Sequence, residues 1–584
     1  MSDLNISQKT ISGIFSETGK KFLIPDYQRP YSWTTEHCDT LWNDLKEFAF
    51  PYGNDDADTF NDDNDKYFLG TIVTFNNAYG QQEVIDGQQR LITLSLLLRA
   101  FYEAFTPEYS VQRNELSKCL WKIGKDYKPD FSSCKISYEV VDDETGCDSF
   151  KKIIAEGVID KSDKSKYAEN YRFLQKKIEE FKSDTPDNFS LFMKRILDNC
   201  ILLPIETNSQ NTAFRIFTTL NDRGLQLSDS DIFKAQFYKF YKSKGKVEKG
   251  TFINRWTVLE RLCNKNFHPR KGTSMDDLFR RYMYYAKAKK AVEEDERLNQ
   301  NKNISDTFSN MRDFYAENNY KLLLNDETFN DLEILANFWD DVANRSEKLS
   351  PKILKKLYVL SYSPYSVWSY VVSLYFMSWR DIDEEDFCNF LDKVTAMILM
   401  NAVLDLGKQT IRRSFVKEFK DIYNGEPLEF DVQFKGQKDI VKRRLSEMNF
   451  SNAKPITRAM LAWWTFRDDA QELPLIDTVL EIEHIYAVKR LPPLSNEKIL
   501  QCLGNKALLE KQINSSASKD SFTNKKIYYR GYEKGKQKVA GTFNLELRHI
   551  AETKNDFTED DILERNEKIF DAFIDYLAQN NLLR

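Results

Sequence analysis

Residues of the kind that build metal and redox centres are scarce in this chain. Its 584 residues include four histidines and eight cysteines. The cysteines (Cys38, Cys119, Cys134, Cys147, Cys200, Cys263, Cys388 and Cys502) stand singly, so no CxxC pair begins a zinc site or a redox motif. Scattered free thiols suit a reducing cytoplasm. No apolar run reaches the roughly 18 residues that a membrane-spanning helix needs. The opening MSDLNISQKT lacks the basic-then-apolar order of a secretory signal. A GxxxxGK segment followed by Ser or Thr is missing, which excludes a P-loop. Strong positive charge is missing too: the net charge of -6 argues against indiscriminate coating of nucleic acid, because non-specific affinity comes from basic surface. Any DNA contact must be local.

What is present describes a soluble globular protein, 41% hydrophobic and 30% charged, too long for one core. At about 100 to 200 residues per domain, three or four domains are expected.

In the N-terminal part, a short amphipathic helix is expected around Ile11 to Phe15. FLIPDYQRPYSW (Phe22 to Trp33) carries turn punctuation, and Thr34 caps a helix through Leu45. The acidic stretch Gly53 to Lys66 reads as a loop or insertion, without the spacing of an EF-hand. FLGTIVTF (Phe68 to Phe75) and QQEVID (Gln81 to Asp86) read as two paired strands, and DGQQR (Asp86 to Arg90) leads into the buried helix LITLSLLLRAF. A strand, a glycine turn and a helix start therefore meet at five residues. Gly87 permits close backbone approach, the helix offers N-terminal amides to phosphate, and Arg29 and Arg90 neutralise its charge. Asp86 would orient water or magnesium; alternatively it caps the helix with Arg90 as its partner. Helices are expected from Tyr167 to Lys182 and from Leu191 to Asn199, then a strand ILLPIET and a helix bearing FRIFTTLNDRG (Phe214 to Gly224). From about Phe237 to Asp469 the periodicity is mostly helical, and the aromatic run Tyr362 to Trp379 reads as core.

The strongest chemical signal lies near the C-terminus, in EIEHIY (Glu481 to Tyr486) and LGNKALLEKQINSSASKDSFTNKK (Leu503 to Lys526). A strand ending in Glu-His, with a later Asn, suits phosphodiester cleavage. That chemistry needs an activated water, a cation for the developing charge, and oxygen ligands hard enough for magnesium. His484 would be the base, and Glu483 and Asn514 would help hold the metal. From His484 to Arg548, thirteen lysines and arginines stand against five acidic residues, a local excess that would concentrate DNA. The alternatives are a buried histidine beside a structural glutamate, and a merely solvated lysine-rich face. His37, His268 and His549 sit in contexts that read as structural or exposed.

The Glu-His and Asn arrangement resembles HNH-type, or His-Me finger, nucleases. EHI with LGN, LL, N, F and KK resembles more closely the C-terminal nuclease domain of the GmrSD family. The resemblance implies that Asn505 braces the loop carrying His484 and that Lys525 and Lys526 face phosphate. It also makes DFTEDDILERNEKI (Asp556 to Ile569) the closing helix, with Arg565 at the matching position. One departure is Ala487, where the family usually has proline. IPDYQRPYSW, YFLGTIV and VIDGQQRLITLSLLL resemble the family's N-terminal domain, which implies a ParB/sulfiredoxin-like α/β fold with nucleotide hydrolysis. The nucleotide-binding residues would be Tyr27, Gln28, Arg29, Asp86, Gly87, Gln88, Gln89 and Arg90. A third block, with Asn221, Arg223, Gly224, Leu227, Asp231 and Lys234, would shape or sense the pocket.

The organisation expected is therefore α+β and multidomain. Residues 1–240 would form a GmrS-like nucleotide domain and 241–410 a helical connection. Residues 411–584 would form a GmrD-like helical domain embedding a ββα-metal nuclease. The activity implied is that of a cytoplasmic type IV restriction endonuclease cutting glucosylated or hydroxymethylated phage DNA. It would use Mg2+ or Mn2+ and a nucleoside triphosphate (GTP, ATP, UTP or CTP). Its partners would be double-stranded DNA and nucleotide, with no membrane; a homodimer is compatible with the sequence. Two other readings stay open: a nicking effector that senses another mark such as phosphorothioation, and a DNA-binding regulator with a decayed nuclease.

Overall fold

The computed structural model describes residues 5–17, 19–25, 28, 30–51, 65–77, 79–138, 147–209, 212–213, 216, 228–269, 272–298, 311–430, 438–488, 494–517, 521–534 and 537–583. Two compact units divide the chain, Met1–Asn254 and Arg255–Arg584.

The first unit holds strands β1 (Asn5–Ile6), β2 (Lys9–Thr10), β3 (Phe22–Ile24), β4 (Tyr67–Asn76), β5 (Gln82–Asp86), β6 (Trp121–Ile123), β7 (Pro129–Cys134), β8 (Ile136–Tyr138) and β9 (Cys200–Thr207). Seven of them form a mixed sheet in the order β1-β9-β4-β5-β3-β8, with β2 also on β9, while β6 and β7 pair separately. The two strands expected around Phe68 and Gln81 are the antiparallel pair β4 and β5. The ILLPIET segment is β9, which runs parallel to β4.

Six helices matter for the site: α1 (Ile11–Phe15), α2 (Thr35–Ala49), α3 (Gln88–Ala104), α4 (Lys166–Asp184), α5 (Phe189–Asn199) and α6 (Asp229–Lys244). Apolar on nearly every side, α3 is buried along its length and packs against α4. Thr34 caps α2 together with His37 in a reciprocal capping box. The helix continues beyond Leu45 because Ala49 extends its buried stripe. The acidic residues 53–64, and all of FRIFTTLNDRG except Ile216, lie outside the described residues.

In the second unit, helices succeed one another from Ser274 to Asn424, with no strand among the described residues. The aromatic run is only partly core: its rings are half-buried and Trp379 is 41% exposed, while Phe376 stacks on Phe338 with ring centroids 4.0 Å apart and Trp339 Nε1 donates to Ser373 Oγ. After α7 (Pro455–Phe466) come β10 (Leu480–His484), β11 (Lys506–Glu510), α8 (Lys511–Ala517), α9 (Phe522–Arg530), β12 (Gly531–Lys534), β13 (Gln537–Ala540), α10 (Leu545–Thr553) and α11 (Glu559–Gln579). Ile485, Leu509, Phe522, Tyr529, Leu547, Phe557 and Ile562 form the core of this segment. No described helix is long and apolar enough to cross a membrane.

Candidate active site

His484 ends β10, which pairs antiparallel with β11 in a register that sets Leu480 opposite Glu510 and His484 opposite Lys506. Chain order then supplies α8, which packs on both strands. Side chains alternate along a strand, so Glu481 and Glu483 share one face while Ile482 and His484 share the other.

Glu483 is only 4% exposed. Its Oε1 accepts from Lys525 Nζ at 2.5 Å and from the Tyr529 hydroxyl at 3.0 Å. Burial and this carboxylate push the Tyr529 hydroxyl well above its ordinary pKa, so it stays a donor. Lys525 Nζ also donates to the His484 carbonyl at 2.6 Å and is 1% exposed. The placement expected for Lys525, facing phosphate, is not the one found. Phe522, Lys525 and Tyr529 recur at helical spacing on the buried face of α9, which turns the ammonium inward. Its neighbour Lys526 points away and donates to the Lys554 carbonyl.

Asn514, on α8, meets Glu481 rather than Glu483. Its Nδ2 donates to Glu481 Oε2 at 2.8 Å, while its Oδ1 is buried without a hydrogen-bond partner. An orphaned acceptor costs free energy unless something is there to satisfy it. Among the described residues no group of three or more His, Cys, Asp or Glu side chains is placed to hold a metal. Magnesium, however, is commonly held by one or two protein carboxylates together with waters and substrate phosphate. Hard oxygen donors on β10 and α8, one of them unsatisfied, fit such an ion.

The imidazole of His484 keeps an unpartnered ring nitrogen: Nε2 is buried and makes no hydrogen bond. Burial, then Lys506, then Lys525, push its pKa down to about 4, against the raising effect of a hydrogen bond with Gln501. The ring is therefore neutral near pH 7. Lys506 is fully buried, and its Nζ donates to Phe450 O at 2.6 Å, Asn452 Oδ1 at 2.6 Å and Gln501 Oε1 at 2.7 Å. These acceptors are all uncharged, and burial pushes the ammonium down to about 8. Gln501, Lys506, Tyr529 and Glu481 were not singled out from the sequence. The register of β10 with β11 is the signal that pairs Lys506 with His484.

Asn505 holds the chain just after His484. Its Oδ1 accepts from Tyr486 N at 2.7 Å, its Nδ2 donates to Tyr486 O and Leu500 O, and its own carbonyl accepts from Ile485 N. Three hydrogen bonds with Asn505 thus fix Ile485 and Tyr486, immediately before the Ala487 that stands in place of the proline. Arg565 grips the preceding turn: Nη1 donates to the carbonyls of Leu503, Gly504 and Lys506, and Nε and Nη2 bind Glu546.

In the N-terminal unit, Gln28 and residues 30–33 lie against β5 and the DGQQR block. Gln89 Oε1 accepts from the backbone N–H of Ser32 at 2.7 Å and of Trp33 at 3.2 Å, and its Nε2 donates to Pro30 O. Gln28 Nε2 donates to Val84 O and Ile85 O at the end of β5. Gln89 is thus committed to holding the 30–33 segment, and Gln88 is buried at the start of α3. Gly87 caps α3 with φ 89°, and a Cβ there would crowd Ile72 and the Thr71 carbonyl; the close neighbour is β4. Arg90 Nη1 donates to Thr71 O at 2.8 Å, with its guanidinium over Gly70, where a Cβ would lie 2.8 Å from Cζ. Burial lowers the Arg90 pKa and Asp86 opposes that shift. Tyr27, Arg29, Asn221 and Arg223, with Gly224 and Leu227, lie outside the described residues. Asp231 forms a capping box with Ser228 at the start of α6, and Lys234 is buried.

Residues 11–238 match the family model of the GmrSD restriction endonuclease N-terminal domain, and residues 436–572 match that of the GmrSD restriction endonuclease C-terminal domain. The chain belongs to the GmrSD restriction endonuclease family. No curated protein matches it. The first GmrSD match runs from α1 into α6 and takes in the DGQQR turn. The second takes in β10, β11, α8, α9 and Arg565. Residues 239–435 lie outside both GmrSD matches. DNA is the partner that restriction endonuclease domains imply.

Proposed function

We propose that this GmrSD-family chain is an NTP-dependent, metal-dependent type IV endonuclease of anti-phage defence, cutting DNA that carries glucosylated or hydroxymethylated cytosine. The observation that carries the nuclease reading is the neutral, half-buried His484 with a buried, unpartnered Nε2, at the end of a hairpin whose following helix carries Asn514. His484 takes a proton from the attacking water at Nε2, the resulting hydroxide bonds to phosphorus as the P–O bond to the leaving sugar oxygen breaks, and that oxygen takes up a proton from water. Asn505 and Lys525 position the histidine through its backbone. Asn514 and an adjacent carboxylate would hold a divalent cation, which would neutralise charge on the phosphate. The hairpin and α8 are read as a ββα-metal finger.

We assign nucleotide binding to residues 1–240, connection and substrate selection to 241–410, and cleavage to 411–584. Arg29, Asp86 and Arg90 would contact the nucleotide, beside Gln28, which bonds the end of β5, and Gln89, which bonds residues 30–33. Turnover there licenses cleavage by His484. The decayed-nuclease alternative rests on Ala487, and the bonds of Asn505 to the same loop speak against it.

A single-turnover comparison of wild type with His484→Ala tests the nuclease reading. The variant is expected to lose cleavage and keep nucleotide hydrolysis. Cleavage that survives in His484→Ala contradicts the assignment.

A further inference from the structure

The geometry points to Glu481, with Asn514, as the oxygen pair that takes the divalent cation, and to Glu483 as the anchor of Lys525 rather than a metal ligand. This rests on the reading of the site as a metal-dependent nuclease. The two carboxylates are separated by one residue of β10 and lie on the same face, so either is in principle available to an ion beside α8.

Their surroundings separate them. The Glu483 carboxylate is already compensated by a buried ammonium and a buried hydroxyl. Turning it toward an ion would leave Lys525, itself 1% exposed, without its counter-charge. Glu481 is only half buried, and its bonded partner is the uncharged Nδ2 of Asn514. That same amide carries the unsatisfied Oδ1. An ion bridging a Glu481 oxygen and Asn514 Oδ1 would satisfy the orphaned acceptor and replace a neutral hydrogen bond with two cation–oxygen contacts. Carboxylate and amide oxygens are the donors that Mg2+ and Mn2+ prefer. Glu483 acts instead through Lys525, which also holds the His484 carbonyl, and so fixes the backbone beneath the base.

Mn2+ binding to the full-length protein without DNA, followed by electron paramagnetic resonance, reads this without recourse to activity. Glu481→Gln and Asn514→Ala are expected to weaken Mn2+ binding by at least about tenfold, and Glu483→Gln to leave it within about twofold of wild type. Should Glu483→Gln fail to fold, Glu483→Gln/Lys525→Met removes both buried charges and answers the same question. Loss of Mn2+ binding in a folded Glu483 variant, or full binding in Glu481→Gln, overturns the assignment. A wild-type protein that takes up no Mn2+ contradicts the metal-dependent reading itself rather than the choice between the two carboxylates.

Discussion

Lys525 Nζ lies 2.5 Å from Glu483 Oε1, and the two side chains are 1% and 5% exposed. A charge pair this far from water contributes little net stability while intact, but losing one partner leaves the other buried and uncompensated, at a cost of about 3–5 kcal/mol. Lys525→Met is therefore expected to destabilise the β10–β11 hairpin by that order, and Glu483→Gln/Lys525→Met by clearly less. Hydrogen exchange of the hairpin amides is the suitable measurement, since a chain with two compact units need not unfold in one step. Equal losses in the single and double variants would contradict a coupled pair.

The pH dependence follows from His484, whose pKa is pushed from 6.5 down to about 4. Single-turnover cleavage should hold as pH falls through 6.5 and decline only on approach to about 4. Stability moves with it. Between about 6.5 and 4 the unfolded chain binds the proton that the folded chain refuses, so this group lowers stability as pH falls through that window. Lys506→Met removes one of the charges opposing protonation and should move the acid limb upward. Burial, the largest cause, remains, so the limb should stay below 6.5. A limb centred at 6.5 in wild type would contradict a neutral His484 with its pKa pushed down by its surroundings.

Gly504 sits under α11, where a Cβ would lie 2.1 Å from the Ile562 carbonyl oxygen and 2.8 Å from Asn566. Gly504→Ala must push helix and turn apart, an overpacking cost on the order of 1–3 kcal/mol or more. The same turn leads into Asn505, so cleavage should fall along with thermal stability. An alanine variant with wild-type melting and wild-type cleavage would show that the turn yields freely.

In the N-terminal unit, Gln89 and Arg90 should behave differently. Gln89→Ala leaves the Ser32 and Trp33 amides without their acceptor, costing roughly 1–3 kcal/mol for each group left unsatisfied, and should lower the melting temperature. Arg90→Ala should spare the fold and reduce nucleotide hydrolysis. Gly70→Ala, at φ 120° and beneath the guanidinium, should mimic it by displacing Arg90. Unchanged hydrolysis in both variants would remove Arg90 from the nucleotide site.

Much of this was legible in the sequence where local pattern and chemistry agree. Alternation and β-branching gave β4 and β5, turn chemistry gave Gly87, and the apolar run gave the buried α3. The Glu-His and LGN blocks gave the hairpin end and Asn505. What local pattern does not carry is which of two equivalent side chains tertiary packing selects. Glu481 and Glu483 share a strand face, and only the position of α8 and α9 gives Asn514 to one and Lys525 to the other. Adjacent lysines on α9 read alike as basic residues, yet helical phase buries Lys525 and frees Lys526. Lys506 reads as part of the basic surplus, whereas the register with His484 makes it a buried neighbour of the imidazole. The surplus of positive charge offered to DNA is correspondingly smaller than the sequence count.

Cleavage of unmodified, hydroxymethylated and glucosylated phage DNA, with Mg2+ or Mn2+ and with or without each nucleoside triphosphate, tests the central claim most directly when wild type is set beside His484→Ala. The prediction is cutting confined to a modified DNA, dependent on nucleotide and metal, and lost in the variant. Cutting that ignores modification and nucleotide, or that persists without His484, would contradict it.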